Sequence, residues 1–574
     1  MRHQLSIFVC CWSIFFLQAC SDSDEAASPW QESTTLKETS NISASKVTSN
    51  NDGDLIILWE EKETERRTDQ TLTDLHNTYS GHETHTHVDV YQRTNVFARS
   101  YSANTGVWQA EVNLQSGYWR KIQAGQLYND SQNTEKFKLT DNIASAFTTH
   151  ATISSNSNGD AIAAWIQLDE SSDGNAASSY GISVSHFTSS SGSWSSIESV
   201  TTSEALVLSD LNVSLAEDGT GQLLWLARDM NPDLTLNPPK KSVIKVYASN
   251  YVNASWSAET KLTEGSGAKS VQVKMFSSDS GVAVWAQENI NATSVYQGSG
   301  TDPCIADVTL CNSTQLNLYG QWFDSTGWQD SAALINEAIG EVGDFVLASN
   351  SSGVWLMWQQ NADHLTNSVD SNNNTIYPRS ISETSQILVS QFDITTHSWN
   401  EPFELQSDDA NTTKDESAQH ATQPDLAIDD QGNVMAVWIQ QVVYDIEGDD
   451  KALIGKWNNN IRQSIWVNTF VNNAWLGATL LDSDERFSNS SPKVIASADN
   501  NFTAAWLQWS SVNQSYGYSL YSLDYDVSTS IASDRQVINS NADLIKDFYL
   551  AKDGNNQVQI IWTGESTAMK YSSK

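Results

Sequence analysis

The chain has 574 residues, with 31 Lys+Arg against 69 Asp+Glu, a formal net charge of −38 and a pI near 4.4. Hydrophobic residues at 39% and aromatics at 10% are enough for a large core, which excludes wholesale disorder. A field this acidic repels phosphate backbones, so nucleic acid is not expected as a partner.

Arg2 and His3 precede an apolar run from Leu5 to Phe16. That run is too short for a finished transmembrane helix and the right length for a signal sequence. It leads into Leu17-Gln18-Ala19-Cys20, which resembles a bacterial lipobox. The resemblance implies a signal peptide over 1–19, cleavage before Cys20, and acylation of the Cys20 thiol and new α-amine, palmitate included. An ordinary secretory peptide with a coincidental cysteine is the alternative. Several acyl chains anchor stably, since each buried methylene contributes about 0.8 kcal/mol. Ser21, where an Asp would signal retention, is similar to the sorting pattern of enteric lipoproteins bound for the outer membrane. Residues 20–28 then form a lipidated tether, and residues 29–574 are expected to form a β-propeller.

Tryptophan occurs 22 times, and its spacing carries the fold. One phrase is a turn, a short apolar run and a Trp, as in Gly432-Asn433-Val434-Met435-Ala436-Val437-Trp438, and it ends at Trp59, Trp165, Trp225, Trp285, Trp358, Trp438, Trp506 and Trp562. A second phrase sets an aromatic six residues before an aliphatic: Trp30/Leu36, Trp108/Leu114, Trp194/Val200, Trp256/Leu262, Trp328/Leu334, Trp399/Leu405 and Trp475/Leu481, with Ile531/Val537 as the copy that lacks Trp. The two alternate, and with a strand before and a strand after each turn phrase they predict four strands per repeat. The expectation is an all-β chain forming a single eight-bladed β-propeller with four antiparallel strands per blade. Its N-terminal strand would pair with the C-terminal blade and remove an open sheet edge. Trp119, Trp322, Trp355, Trp457, Trp466 and Trp509 fall outside both phrases and are the candidates for ligand contact. Gln167, Gln287, Gln360, Gln440 and Gln508, two places after a phrase Trp, are expected to satisfy backbone groups.

Nearly all length variation lies between the second and third strands, from 42 residues (Trp59 to Tyr101) down to 9 (Trp562 to Tyr571). Those connections share one face of a propeller with the links between blades, the default place for binding. The insertion between Leu114 and Thr152 falls there too. So does a histidine-rich stretch holding His82, Glu83, His85 and His87, in which Glu83, His85 and His87 share one side of an extended segment. Neutral imidazoles with a carboxylate suit a divalent zinc, copper or nickel ion. A solvated polar loop with incidental histidines is the simpler alternative. Cys304 and Cys311 are the only cysteines left after export and lipidation, and read as a loop disulfide in an oxidising compartment. Asp344, Asp425 and Asp547 begin innermost strands and reach the channel mouth, with Lys46, Lys274 and Lys493 in similar places.

The function expected from these features is a membrane-anchored, non-catalytic binding or scaffolding lipoprotein that uses its loop-rich face for an envelope protein or glycan. Anchor and blade number loosely resemble the propeller lipoprotein of the outer-membrane barrel-assembly machinery, without that protein's repeat motif. The alternative is a glycan-active enzyme, a glycoside hydrolase or lyase. Ser278-Asp279-Ser280-Gly281-Val282-Ala283-Val284-Trp285 resembles the Asp box of sialidase-like propellers, departing by one residue before the Trp and lacking the Thr. No arginine cluster for a substrate carboxylate is evident in the sequence, and no catalytic residue is assigned.

Overall fold

Each turn phrase works because a tight reversal feeds an apolar strand buried on both faces. Gly53, Gly159, Gly219 and Gly432 hold φ of 83° to 87°, a conformation that L side chains resist. At Gly159 an added Cβ would also lie 2.7 Å from Asn50 Nδ2 of the neighbouring repeat, so this turn is tight against the next unit.

The computed structural model describes residues 30–574 except 32, 39–40, 51, 69–85, 130–134, 143–148, 169–179, 202–205, 229–243, 264–266, 289–315, 330, 337–341, 351–352, 363–367, 370–374, 377–383, 407–420, 444–460, 483–487, 513–514, 540–544, 554 and 565–567. Every regular element among the described residues is a β-strand. Blade 1 starts with Ile42–Ser49, Leu55–Thr68 and Thr86–Ser102. Blades 2 to 7 follow, over 152–201, 206–261, 270–336, 342–404, 421–480 and 489–539.

The structure corrects the expected single eight-bladed propeller with four strands per blade: it has seven blades, not eight. Seven blades are each built from one continuous stretch of chain, and none of them has four strands. Six have five strands, because the outermost is broken in two; in blade 2 these pieces are Ser193–Trp194 and Glu198–Thr201. The break follows from a register shift, which carries the chain out of the sheet after the Trp and returns it further along. Blade 1 has seven strands, because the insertion supplies Arg120–Asn129 and Glu135–Asn142, the first of which pairs with the start of the long Thr86–Ser102 strand. The remaining four-stranded sheet is composite. Ile545–Lys552, Val558–Gly564 and Ala568–Ser573 are completed by Thr34–Glu38 from the other end of the chain. Thr34 lies opposite Tyr571 and Glu38 opposite Ala568. Trp30 Nε1 donates to Ser522 Oγ at 2.8 Å, and Gln31 N donates to Ser573 O at 2.9 Å, fastening the join.

The eight phrase tryptophans are at most 1% exposed and pack between blades. Trp506, for example, lies in one cluster with Met435, Val437 and Ile439 of the preceding blade. A buried Trp removes roughly 150–250 Å² from water, an upper bound of about 4–6 kcal/mol each. Two of the glutamines serve these rings rather than the backbone: Trp285 Nε1 donates to Gln287 Oε1 at 3.0 Å and Trp438 Nε1 to Gln440 Oε1 at 3.2 Å, whereas Gln167, Gln360 and Gln508 accept from the side chains of Ser183, Asn336 and Arg535. The outer phrase forms cross-strand aromatic pairs, such as Phe187 with Trp194 and Phe323 with Trp328, at centroid separations of 5.3 and 4.6 Å. In blade 4 the expected aliphatic, Leu334, is exposed, and Ile335 fills the core instead.

The innermost strands leave one edge without a ladder partner, and side chains of the preceding blade satisfy it. Thr48 Oγ1 accepts Ser155 N at 3.1 Å, Ser154 Oγ accepts Leu215 N at 3.1 Å, Asn212 Oδ1 accepts Val273 N at 2.9 Å, and Gln272 Oε1 accepts Leu347 N at 2.9 Å. Asp425 Oδ2 continues the pattern by accepting Val494 N at 2.8 Å. Innermost strands therefore follow one another around a central channel, and the strand at Ile545–Lys552 meets that at Ile42–Ser49.

Candidate functional site: a charged arc at the loop end of the channel

Strand register defines a single layer of the channel wall. The residue just before each buried Trp faces Lys46, Thr152, Asn212, Gln272, Val346, Asp425, Lys493 and Tyr549 in turn. Four consecutive positions in this circuit carry titratable groups: Asp425, Lys493, Tyr549 and Lys46. The other four are neutral. The charged residues thus form an arc along one side of the ring, on blades 6 and 7, the composite sheet and blade 1.

A bulge near the start of several inner strands shapes this layer. The register shifts at Ser209/Asn212, Val342/Phe345, Thr422/Asp425, Ser490/Lys493 and Ile545/Asp547. Asp210, Gln423 and Ser491 inside such bulges hold φ of 51° to 55°, and His150 just before the blade 2 strand holds 49°. A left-handed backbone costs about 1–2 kcal/mol for a residue with a Cβ, so the recurrence marks a geometry held in place by its surroundings. Gln423 Oε1, for instance, accepts Ser491 N across the blade boundary at 2.7 Å.

Within the arc the groups act on one another. Tyr549 Oη donates to Asp547 Oδ2 at 2.6 Å, and Asp547 Oδ1 accepts Phe548 N at 2.9 Å. Burial, reinforced by the Asp547 carboxylate, pushes the Tyr549 phenol far above its ordinary range, so it keeps its proton and donates. The Lys46 ammonium lies 5.9 Å from the Tyr549 ring centre. It reaches channel water, yet the surrounding wall lowers its pKa through lost solvation; Asp547 opposes that effect and Lys493 adds to it. Burial raises the Asp425 carboxyl, against the pull of Lys493 and the Val494 amide. Lys274, on the innermost strand of blade 4, lies one pleat further from the loop end, and loss of solvation alone lowers its pKa.

An aromatic pair stands at the same end. Asn501–Val512 and Ser515–Asp526 are the second and third strands of blade 7, joined by only two residues. Trp509 and Tyr518 face each other across this hairpin at 5.2 Å, edge to face, and Trp509 is 38% exposed. Trp509 continues the face of Ala505 and Leu507, which packs on the composite sheet. In that sheet the second strand ends at Gly564, with three residues before Ala568, so Trp509, three residues past its phrase Trp506, stands one position beyond the level at which the strand of Trp562 ends. By contrast, 27 residues connect Glu288 to Leu316 in blade 4. The middle of the arc, at Lys493 and Tyr549, therefore lies on the two sheets whose connections are shortest.

The other sequence candidates divide clearly. Cys20, Cys304, Cys311, His82, Glu83 and His85 lie outside the described residues, as does Trp457. His87 belongs to the Thr86–Ser102 strand and pairs with Gln126. Among the described residues no three His, Cys, Asp or Glu side chains come together in a metal-binding group, and no helix is long and apolar enough to cross a membrane. Trp355 and Trp466 are core, Trp322 stacks on His397 at 3.8 Å, and Trp119 lies beneath the Arg67 and Arg93 guanidiniums. Asp425 and Asp547 join the arc, whereas Asp344 is exposed at its own bulge. Sequence reading passed over Tyr549; aligning each inner strand against its phrase Trp exposes it.

No protein family and no curated protein matches the sequence. Solved structures similar to this chain include a polysaccharide lyase described as an ulvan lyase, at 10% identity over 88% of this chain and 93% of that one, with a TM-score of 0.34. A leech intramolecular trans-sialidase is 8% identical over 94% and 92%, with a TM-score of 0.32. The β-propeller domain of the Trilobed protease from Pyrococcus furiosus is 8% identical over 75% and 95%, with a TM-score of 0.34. The chain is an all-β β-propeller, and its structural neighbours span glycan-active enzymes and peptidases.

Proposed function

We propose that this protein is an outer-membrane lipoprotein, anchored through Cys20, that binds a glycan chain at the loop end of its propeller. The observation that carries the reading is the pair of exposed Trp509 and half-buried Tyr518 at the same end as the arc. An aromatic face beside carboxylates and a phenol oxygen matches a sugar, which offers both apolar ring faces and hydroxyls. Trp509 lies four residues past Ala505, the residue opposite Lys493, or about 13 Å along the strand. That span calls for an oligosaccharide rather than a single ring.

The Tyr549 phenol, held protonated with its proton given to Asp547, offers a sugar hydroxyl an acceptor oxygen and is poorly suited to proton abstraction, which favours binding over lyase chemistry. Glycan arrays probed with the full chain in detergent micelles test the reading. Retention of an oligosaccharide, weakened about ten-fold or more by Trp509→Ala, is the expected result. Turnover of any polysaccharide replaces the binding role with an enzymatic one. Failure to retain any glycan, with one envelope protein recovered instead, removes the glycan reading.

A further inference from the structure

We infer that the ligand is an acidic glycan, whose carboxylate or sulfate groups are held by Lys46 and Lys493 at the rim and by Lys274 further along the channel. This inference rests on the glycan-binding reading and specifies its ligand.

The argument starts from scarcity. Acidic residues outnumber basic ones 69 to 31, so a cation on this chain readily finds a carboxylate. Several have done so: Lys37 reaches Glu111 at 2.8 Å, Lys121 reaches Asp89 at 2.7 Å, Arg93 reaches Glu63 at 2.6 Å and Arg535 reaches Asp482 at 3.3 Å. The three channel lysines are different. Among the described residues none of them has an ion-pair partner within 4.0 Å. Lys493 feels Asp425 and Lys46 feels Asp547, but only at longer range. Lys274 has no charged neighbour to compensate its lost solvation.

Placing a cation in a protein wall without a close counter-ion is unfavourable, and a bound anion offsets that cost. The arrangement also confers selectivity. The net charge of −38 repels anions at long range, so small mobile anions are held off, while a ligand tethered by ring stacking on Trp509 brings its anionic groups to the lysines at high effective concentration. Lys46 and Lys493 flank Tyr549 in the layer, on adjacent sides of the composite sheet.

Calorimetric titration of the full chain in detergent micelles tests this with three probes: an oligogalacturonate, the same oligosaccharide with its carboxylates reduced to alcohols, and a sulfated neutral oligosaccharide. At least one anionic probe is expected to bind about ten-fold or more tighter than the reduced one, with affinity falling as salt rises. Lys46→Gln and Lys493→Gln should each erase that preference without lowering the melting temperature, whereas Trp509→Ala weakens every probe. The preferred anionic probe identifies the group. Equal affinity for charged and reduced probes, or a preference that survives both lysine variants, overturns the inference and leaves glycan binding standing. Absence of binding to all oligosaccharides removes both.

Discussion

Glu60, on the second strand of blade 1, accepts the backbone amides of Ala151 and Thr149 from blade 2 at 3.0 and 3.3 Å, one through each carboxylate oxygen. The residue is fully buried, and Ser43 Oγ completes the set at 3.4 Å. Glu60→Ala leaves two buried amides without acceptors at a blade boundary. A loss of about 2–5 kcal/mol is expected, with Glu60→Gln milder because one acceptor remains. Denaturant unfolding measures it, and an unchanged midpoint for the alanine variant contradicts the assigned role.

Asp425 sets a pH dependence. Burial raises its folded-state pKa above the unfolded value, so the folded protein holds this proton more tightly. Its ionisation therefore lowers stability as pH rises from the unfolded carboxyl value, about 3.9, through the raised one, and the deficit stays constant above both. Asp425→Asn removes the deficit and keeps an oxygen for Val494 N. The variant is expected to melt higher than the parent at pH 7, with the gap closing toward acid. Thermal scans across that range check it; a gap that widens toward acid would reverse the sign.

For Lys274 the folded pKa is lowered, so the charged amine destabilises the fold at neutral pH. Stability rises as pH climbs from the folded value toward the unfolded one, about 10.4. Lys274→Met should raise the melting temperature at pH 7 and lose that advantage by the alkaline end. The same variant is expected to weaken binding of an anionic oligosaccharide. A melting temperature below that of the parent at pH 7 would contradict the assigned burden.

Trp30 carries the join between the chain ends. Its ring is 7% exposed, packed with Ile545, Phe548 and Ile560, and its Nε1 donates to Ser522. Trp30→Ala is expected to cost about 3–5 kcal/mol through the cavity, with the lost hydrogen bond adding to it. Hydrogen exchange should show faster exchange across Ala568–Ser573 before the rest of the ring. Uniform exchange over all blades would mean that the join is no weaker than the other contacts.

The tryptophan spacing made the propeller legible, because a Trp buried between sheets in every repeat leaves a period that no loop erases. Strand counts were less legible. A broken outer strand looks like a continuous one in sequence, since the register shift after Trp194 or Trp399 changes hydrogen bonding without changing the apolar pattern. The charged channel residues were visible as types at strand starts, but the arc was not. Its grouping depends on which inner strands are neighbours and on bulges such as that at Ser490/Lys493, which shift each side chain against its partner strand. Trp509 stood out only by falling outside both phrases, and its exposure was not legible in the sequence.

The composite sheet also imposes a timetable. Thr34–Glu38 pairs with Ala568–Ser573, more than 500 residues away, so a chain emerging from its N-terminus presents this strand long before its partner exists. The seven contiguous blades can form in order as the chain is made, each from local contacts, whereas the last seam waits for Ala568–Ser573. Until then a strand edge stays unpaired on each side of the seam, and shielding those edges falls to the cell rather than to the fold.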